Sequence, residues 1–147
     1  MQVFIVGTPL ETAMALDKLR LNKQIIECRQ ILDALNGAKA WFNHPCVLQY
    51  RGYEFWLECY LHCLQSFYDY LRYDRRGDKH DMQVYDNTCF LCRPDWHTQE
   101  YYDQMKRRLY TKDKEHYKQW AYLGESDENW YFVDGEWRVY VNGKRID

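Results

Sequence analysis

The stretch RLNKQIIECRQILDAL, residues 20–35, decides the fold because its apolar residues recur at steps of three and four. That period places apolar side chains on one face of an α-helix. Asn36-Gly37 follows and suits a C-terminal helix cap. We therefore predict a helix from Arg20 to Leu35 with one buried face. The residues that would form this face are Leu21, Ile25, Cys28, Ile31 or Leu32, and Leu35.

Polar residues form a second row on the same helix. Lys23, Glu27 and Gln30 are spaced by four and three positions, and Arg20 lies one turn earlier, so they share a side. A glutamate in such a row is usually solvated. On a concave, covered face it could instead carry protons, which makes Glu27 the candidate catalytic residue.

The residues before this helix predict a short extended segment and a helix start. Residues 2–6 are apolar and rich in β-branched side chains, which favours a strand or an extended arm. Thr8 suits a helix N-cap, Pro9 the first helical position and Glu11 the capping-box position. We expect Leu10, Met14 and residues 16–19 to form the apolar face of this first helix.

The rest of the chain predicts more helices and a terminal hairpin. Asp134-Gly135 between two apolar runs is typical of a tight turn, so residues 130–141 read as a β-hairpin. The other expectations are a loop at 38–46, a central helix at 52–73 that is apolar nearly all round, a connector at 74–80, an irregular segment at 81–96, and helices at 97–110 and 113–122.

Length and charge bound the class of protein. A chain of 147 residues fits one domain, residues 1–147, with a helical core at 1–122. The net charge of -2 argues against strong, indiscriminate nucleic-acid binding but permits a local basic face. The N-terminus does not read as a signal peptide and no run is long enough to span a membrane, so we expect a cytoplasmic protein.

Three further groups of residues leave alternatives open. Cys89 and Cys92 with His97 suggest zinc weakly, and buried reduced thiols are the preferred reading, so we expect no metal. His44, between Asn43 and Pro45, could face a phosphate or merely pack in a turn. The basic residues around 106–118 could contact phosphates, although a solvated helix face is slightly preferred.

Residues 16–27, LDKLRLNKQIIE, resemble the signature of the pyrimidine-dimer DNA glycosylase family of endonuclease V type. The run Arg-Leu-x-Lys-Gln-x-x-Glu at 20–27 is similar to its bacterial and phage branch. Residues 41–45 (WFNHP) resemble a His-Pro motif of the family, followed by the aromatic-Arg-Gly-Tyr-Glu segment at 50–54. Elements at 93–96 and 112–117 are similar as well.

The resemblance implies a compact, mainly α single-domain fold whose N-terminus lies near the active site. It implies a monomeric DNA glycosylase and AP lyase that acts on damaged or modified pyrimidines in duplex DNA without a cofactor. The α-amine of Met1 would attack the sugar C1′ to form an imine, and Glu27 would assist ring opening and β-elimination. The residues that would contact DNA are Lys18, Arg20, Lys23, Gln24, Gln30, Asn43 and His44.

Two other hypotheses remain. One is a non-catalytic relative that binds DNA or a nucleotide, favoured by Ile26 and Gln30 where the family carries arginines. The other is a protein-interaction domain that uses the aromatic C-terminal hairpin. Borohydride trapping distinguishes the first of these from the enzyme, because only an enzyme that forms an imine is trapped.

Overall fold

A computed structural model describes residues 1–76 and 92–147, and in these ranges helices precede a small antiparallel sheet. The helices are α1 (Pro9–Ala15), α2 (Lys18–Leu35), α3 (Pro45–Gln49), α4 (Glu54–Arg76) and α5 (Gln99–Lys112), followed by a 3-10 helix (Lys118–Leu123). The strands are β1 (Asn129–Val133), β2 (Glu136–Val141) and β3 (Lys144–Arg145). The expected mainly helical fold with a C-terminal hairpin is thus confirmed. Cys89, the irregular segment at 81–91 and most of the predicted connector lie outside the described residues.

The extended N-terminal segment runs through the centre of the molecule. Val3 and Ile5 are completely inaccessible to solvent, and Gln2 and Phe4 are also buried. Within residues 1–76 and 92–147 no strand pairs with this segment, so side chains of neighbouring helices satisfy its backbone. Of the two expectations, the extended arm is therefore the one that forms.

Helix α2 begins and ends close to where its periodicity predicts. The predicted apolar face is buried, with Leu21, Cys28 and Ile31 almost inaccessible, and it packs on α4. Helix α1 starts after Thr8 with the expected capping box, in which the side chains of Thr8 and Glu11 each bond the other's backbone. The start of α1 and the extent of α2 are thus both predicted by local sequence signals.

The apolar face expected for α1 is wrong at Met14 and Leu19, although Leu16 is buried. This helix ends at Ala15, and Leu16 adopts an extended conformation, so residues 16–19 do not continue it. Met14 is 62% exposed and Leu19 70% exposed. The helix instead buries the smaller side chains of Pro9, Thr12 and Ala13, which allows it to lie close to its neighbours.

Three other expectations need correction. Helix α4 is amphipathic rather than apolar all round, since Glu58 and His62 share an exposed face while Tyr60 and Leu64 are buried. The expected loop at 38–46 is shorter, because α3 begins at Pro45 with His44 as its N-cap. The helix expected at 113–122 gives way to turns and a 3-10 helix, because the Asp113 carboxylate accepts a hydrogen bond from the backbone nitrogen of His116 and forms a turn there.

The C-terminal hairpin forms around the predicted turn. Val133 pairs with Glu136 across Asp134-Gly135, whose positive φ angles of 54° and 77° suit a tight two-residue turn. A second turn at Asn142-Gly143 adds the short strand β3, which was not predicted. Strand β1 packs against α3 and α5, so the hairpin contacts the helices directly.

Candidate active site

A cavity of about 170 Å³ opens beside the first residues of the chain. It lies between the N-terminal segment, α2 and the C-terminal end of α5. Its lining combines apolar and polar side chains and contains one carboxylate, from Glu27. The lining residues are Met1, Gln2, Phe4, Leu19, Arg20, Lys23, Gln24, Glu27, Arg108, Lys112 and Asn129.

Glu27 is held against the N-terminal segment. Its Oε2 accepts a hydrogen bond from the backbone nitrogen of Gln2 at 3.2 Å, and only 14% of its side chain is exposed. The ammonium of Lys23 lies 4.0 Å from Oε1, one turn earlier on α2. A carboxylate with one oxygen tied to the main chain and the other facing a cation has a restricted orientation toward the cavity.

Gln24 holds the extended segment in place. Its amide nitrogen donates to the carbonyl oxygen of Gln2 at 2.8 Å, and its amide oxygen accepts from the backbone nitrogen of Phe4 at 2.5 Å. The hydroxyl of Tyr60 on α4 donates to the carbonyl of Phe4, also at 2.5 Å. Gln24 is only 1% exposed, so in this conformation it positions the N-terminus; its expected contact with DNA stays a prediction.

The C-terminal hairpin also contacts the first residue. The hydroxyl of Tyr131 on β1 donates to the carbonyl oxygen of Met1 at 3.0 Å. Burial raises the pKa of this tyrosine, so it remains a donor at neutral pH. Sequence reasoning gave the hairpin no role near the site, because no local signal connects residues so far apart along the chain.

His44 lies close to the N-terminal amine without lining the cavity. Burial lowers the pKa of its imidazole, and the positive charge of the amine lowers it further. Its Nδ1 accepts a hydrogen bond from the backbone nitrogen of Cys46 at 3.1 Å, which caps α3. The ring also meets Tyr131 edge-on at 5.8 Å between centroids. His44 thus packs beside the N-terminal region in this conformation, and its expected contact with DNA stays a prediction.

The cations of the cavity come from two helices. Arg20 on α2 bonds Asp17 at 3.1 Å, and Arg108 on α5 donates to Asn129 at 3.0 Å. Lys112 is exposed overall, but partial burial against the cavity wall and the charge of Arg108 lower the pKa of its ammonium. Four cationic side chains around one carboxylate make a surface suited to phosphate groups.

Two of these cations, Arg108 and Lys112, were not among the predicted site residues. They belong to a basic run for which a solvated helix face was slightly preferred. That preference is wrong for two of its residues. Arg107 donates to the backbone oxygen of Leu123 and Arg108 to that of Ser126, and these bonds hold the segment before β1 against α5. Arg108 and Lys112 are four positions apart on α5, and this spacing could have indicated that they share a face. Asn129 also lines the cavity, but no pattern in the sequence pointed to it.

The other predicted residues lie outside the cavity lining. Lys18 is exposed at the first position of α2, Gln30 is half-buried one turn beyond Glu27, and Asn43 is exposed in the loop before α3. Among the described residues, no three His, Cys, Asp or Glu side chains gather in a way that could hold a metal ion. No helix in 1–76 or 92–147 is long and apolar enough to cross a membrane.

Met1, the Glu27 carboxylate and four cationic side chains thus line one open cavity. The amine can act as a nucleophile, the carboxylate can accept and return a proton, and the cations can hold a polyanion. The family model for pyrimidine dimer DNA glycosylases matches residues 1–86. Neither the curated proteins nor the solved structures contain a match to the chain.

Proposed function

The chain belongs to the pyrimidine dimer DNA glycosylase family, and from this membership we propose that it is a DNA repair enzyme that removes damaged or modified pyrimidines through an imine formed by its N-terminal α-amine. The observation that carries the proposal is the joint position of Met1 and Glu27 in the cavity lining. The hydrogen bond from Gln2 to Glu27 ties the carboxylate to the residue next to the amine.

The reaction begins with attack of the neutral Met1 amine on the sugar C1′. The bond from C1′ to the base breaks, and the base leaves with the electron pair and takes up a proton. The nitrogen then loses a proton to Glu27, and the C1′–O4′ bond breaks as O4′ receives a proton. The products of these steps are the free base and an imine between C1′ and the enzyme.

The second stage cleaves the strand. A base removes a proton from C2′, the new C2′–C3′ double bond forms, and the 3′ phosphate leaves with the electron pair of its C3′–O bond. Water then hydrolyses the imine and restores the amine. Glu27 is the carboxylate in the cavity and takes the proton-transfer role in both stages.

The cations support DNA as the substrate. Arg20, Lys23, Arg108 and Lys112 surround the cavity although the chain as a whole has a net charge of -2. Local concentration of positive charge on a slightly acidic protein favours contact with phosphates at one face over indiscriminate binding.

Borohydride trapping on an abasic duplex tests the proposal. We expect a covalent protein–DNA band on a denaturing gel, and peptide mass mapping should locate the adduct on Met1. Lys112→Arg and Lys23→Arg are the matched controls, because these lysines supply the other amines of the cavity lining; both variants should still be trapped. An adduct on a lysine, or DNA binding with no adduct, would contradict the proposed chemistry.

A further inference from the structure

The loop between α2 and α3 exposes two adjacent aromatic side chains. Trp41 is 50% exposed and Phe42 45% exposed. Single apolar residues at a surface are ordinary, but neighbouring large aromatic rings at a loop tip form a patch that a partner can cover. Three features of the loop indicate which partner this is: its backbone conformation, its position beside the cavity and its nearby positive charges.

Trp41 has a backbone conformation that disfavours its own side chain. Its φ angle is 63°, in the left-handed region where glycine and asparagine are favoured and bulky residues are rare. A hydrogen bond from the backbone nitrogen of His44 to the carbonyl of Trp41, at 2.9 Å, closes the turn. Strain of this kind around an exposed ring does not serve the core, and such strain concentrates at functional sites.

The loop lies beside the candidate active site. The rings of Trp41 and His44 meet edge-on with centroids 5.8 Å apart, and His44 meets Tyr131 at the same distance. Tyr131 in turn bonds the carbonyl of Met1. A short row of rings therefore connects the exposed tryptophan to Met1, the first residue of the cavity lining.

Cations accompany the exposed rings. The guanidinium of Arg51 lies 5.4 Å from the centre of the Phe42 ring, and Arg51 and Lys39 are both exposed. Flat aromatic surface next to positive charge is complementary to a nucleobase joined to phosphates. A purely apolar partner would leave these cations without a counterpart.

We propose that Trp41, supported by Phe42, stacks on a nucleobase that is left unpaired where the duplex opens at the lesion. The stacked ring would hold the duplex open while the sugar of the damaged nucleotide reaches the cavity. This inference rests on the proposed function and adds a DNA-contacting residue to it.

The test uses a duplex with 2-aminopurine opposite a tetrahydrofuran abasic analogue, which cannot form an imine. We expect the wild-type chain to quench the 2-aminopurine fluorescence by stacking. Trp41→Gly should abolish this quenching and raise the Kd about tenfold, since stacking on one base commonly contributes 1–3 kcal/mol. Trp41→Phe should retain much of both effects.

Two controls separate stacking from folding. Glycine suits a φ angle of 63°, so Trp41→Gly should keep or raise the Tm, and its weaker binding is then not a result of unfolding. Tyr122→Ala removes another exposed ring, 77% accessible and outside the cavity lining, and should leave both the Kd and the quenching unchanged.

Several results would overturn the inference. One is equal DNA affinity in Trp41→Gly and the wild type; another is weaker binding with the quenching intact. A mass that rises with concentration and falls to a monomer in Trp41→Gly, with DNA binding unaffected, would assign the patch to a second copy of the chain. Imine trapping by the wild type is a separate readout, so its failure together with Trp41-dependent quenching would refute the proposed chemistry while the stacking stands.

Discussion

The Glu27 carboxylate accepts a hydrogen bond from the backbone nitrogen of Gln2, at 3.2 Å, and so joins the second helix to the start of the chain. Because Gln2 follows Met1 directly, the bond limits how far the amine can move from the carboxylate. In the proposed reaction, holding the nucleophile near its proton carrier raises the rate. The relationship leads to predictions about both residues and about the groups that hold them.

Glu27→Gln should abolish most of the strand cleavage and leave DNA binding in place. The amide oxygen of glutamine can still accept the hydrogen bond from Gln2, so the local structure is retained, but the amide cannot carry protons. We expect the single-turnover cleavage rate of an abasic duplex to fall about 100-fold or more, with little change in Kd. Glu58→Gln, at an exposed position of α4, is the matched control, and cleavage by Glu27→Gln at the wild-type rate would contradict the role.

Gln24→Leu should destabilise the fold and slow imine formation together. The substitution leaves the carbonyl of Gln2 and the amide of Phe4 buried without their partner. Such loss costs about 2–3 kcal/mol, measurable by urea denaturation. Gln65→Leu removes an amide that bonds exposed Arg29 instead and should cost under about 1 kcal/mol. Equal stability of the two variants would mean that Gln24 does not anchor the segment.

Lys112→Ala should weaken DNA binding and reduce its salt dependence. A lysine at a phosphate contact adds roughly one unit to the slope of log Kd against log salt concentration. We expect that slope to fall by about one unit, measured by fluorescence anisotropy between low and moderate salt. Lys118→Ala, a 77% exposed lysine outside the cavity lining, should keep the wild-type slope. A reduced slope in both variants would argue for diffuse attraction instead of a defined track.

Because of His97, the free energy of unfolding should fall in mild acid. Burial, followed by the charge of Arg93, lowers the pKa of this histidine to about 3, whereas an unfolded histidine titrates near ~6.5. The unfolded chain therefore binds a proton in this pH range that the folded chain does not. The free energy of unfolding is therefore unaffected by His97 above about pH 6.5 and declines by roughly 1.4 kcal/mol for each pH unit below it.

Urea denaturation at pH 7 and pH 5 measures this effect. The wild-type chain should lose about 2 kcal/mol more than His97→Gln between these pH values, because the variant lacks the titrating group. His62→Gln, at an exposed position of α4, controls for removal of an imidazole. The prediction is wrong if the wild type and His97→Gln lose the same free energy, since His97 would then not titrate differently in the two states.

Much of the helical framework could be predicted from local sequence. The capping box at Thr8 and Glu11, the period of α2 and the Asp134-Gly135 turn are each determined by neighbours a few residues away. Helix α3 was not predicted although Pro45 is a helix-start signal, because five residues are too few to show a helical spacing of apolar side chains. Local rules thus account for the start of α1, the buried face of α2 and the hairpin turn, but not for the end of α1 or the faces that α1 and α4 bury.

The site could be predicted only in part. Glu27 and the cations of α2 follow one another at helical spacing, so a common face was visible in the sequence. The contributions of Tyr131, Arg108 and Lys112 depend on packing of the C-terminal third against the first residues, which no local pattern encodes. The burial of Gln24 could not be predicted for the same reason, since its partners are backbone groups of the extended N-terminal segment.

The hydrogen bond between Tyr131 and Met1 spans 130 positions of the chain, and this separation has a kinetic consequence. Contacts between distant segments form slowly, because closing a long loop costs conformational entropy before the contact repays it. During synthesis the first residues leave the ribosome long before the hairpin exists. Met1 therefore lacks its bond to Tyr131 until the chain is nearly complete. If the proposed imine chemistry holds, the time at which imine trapping appears after dilution from urea would measure this final docking step of folding.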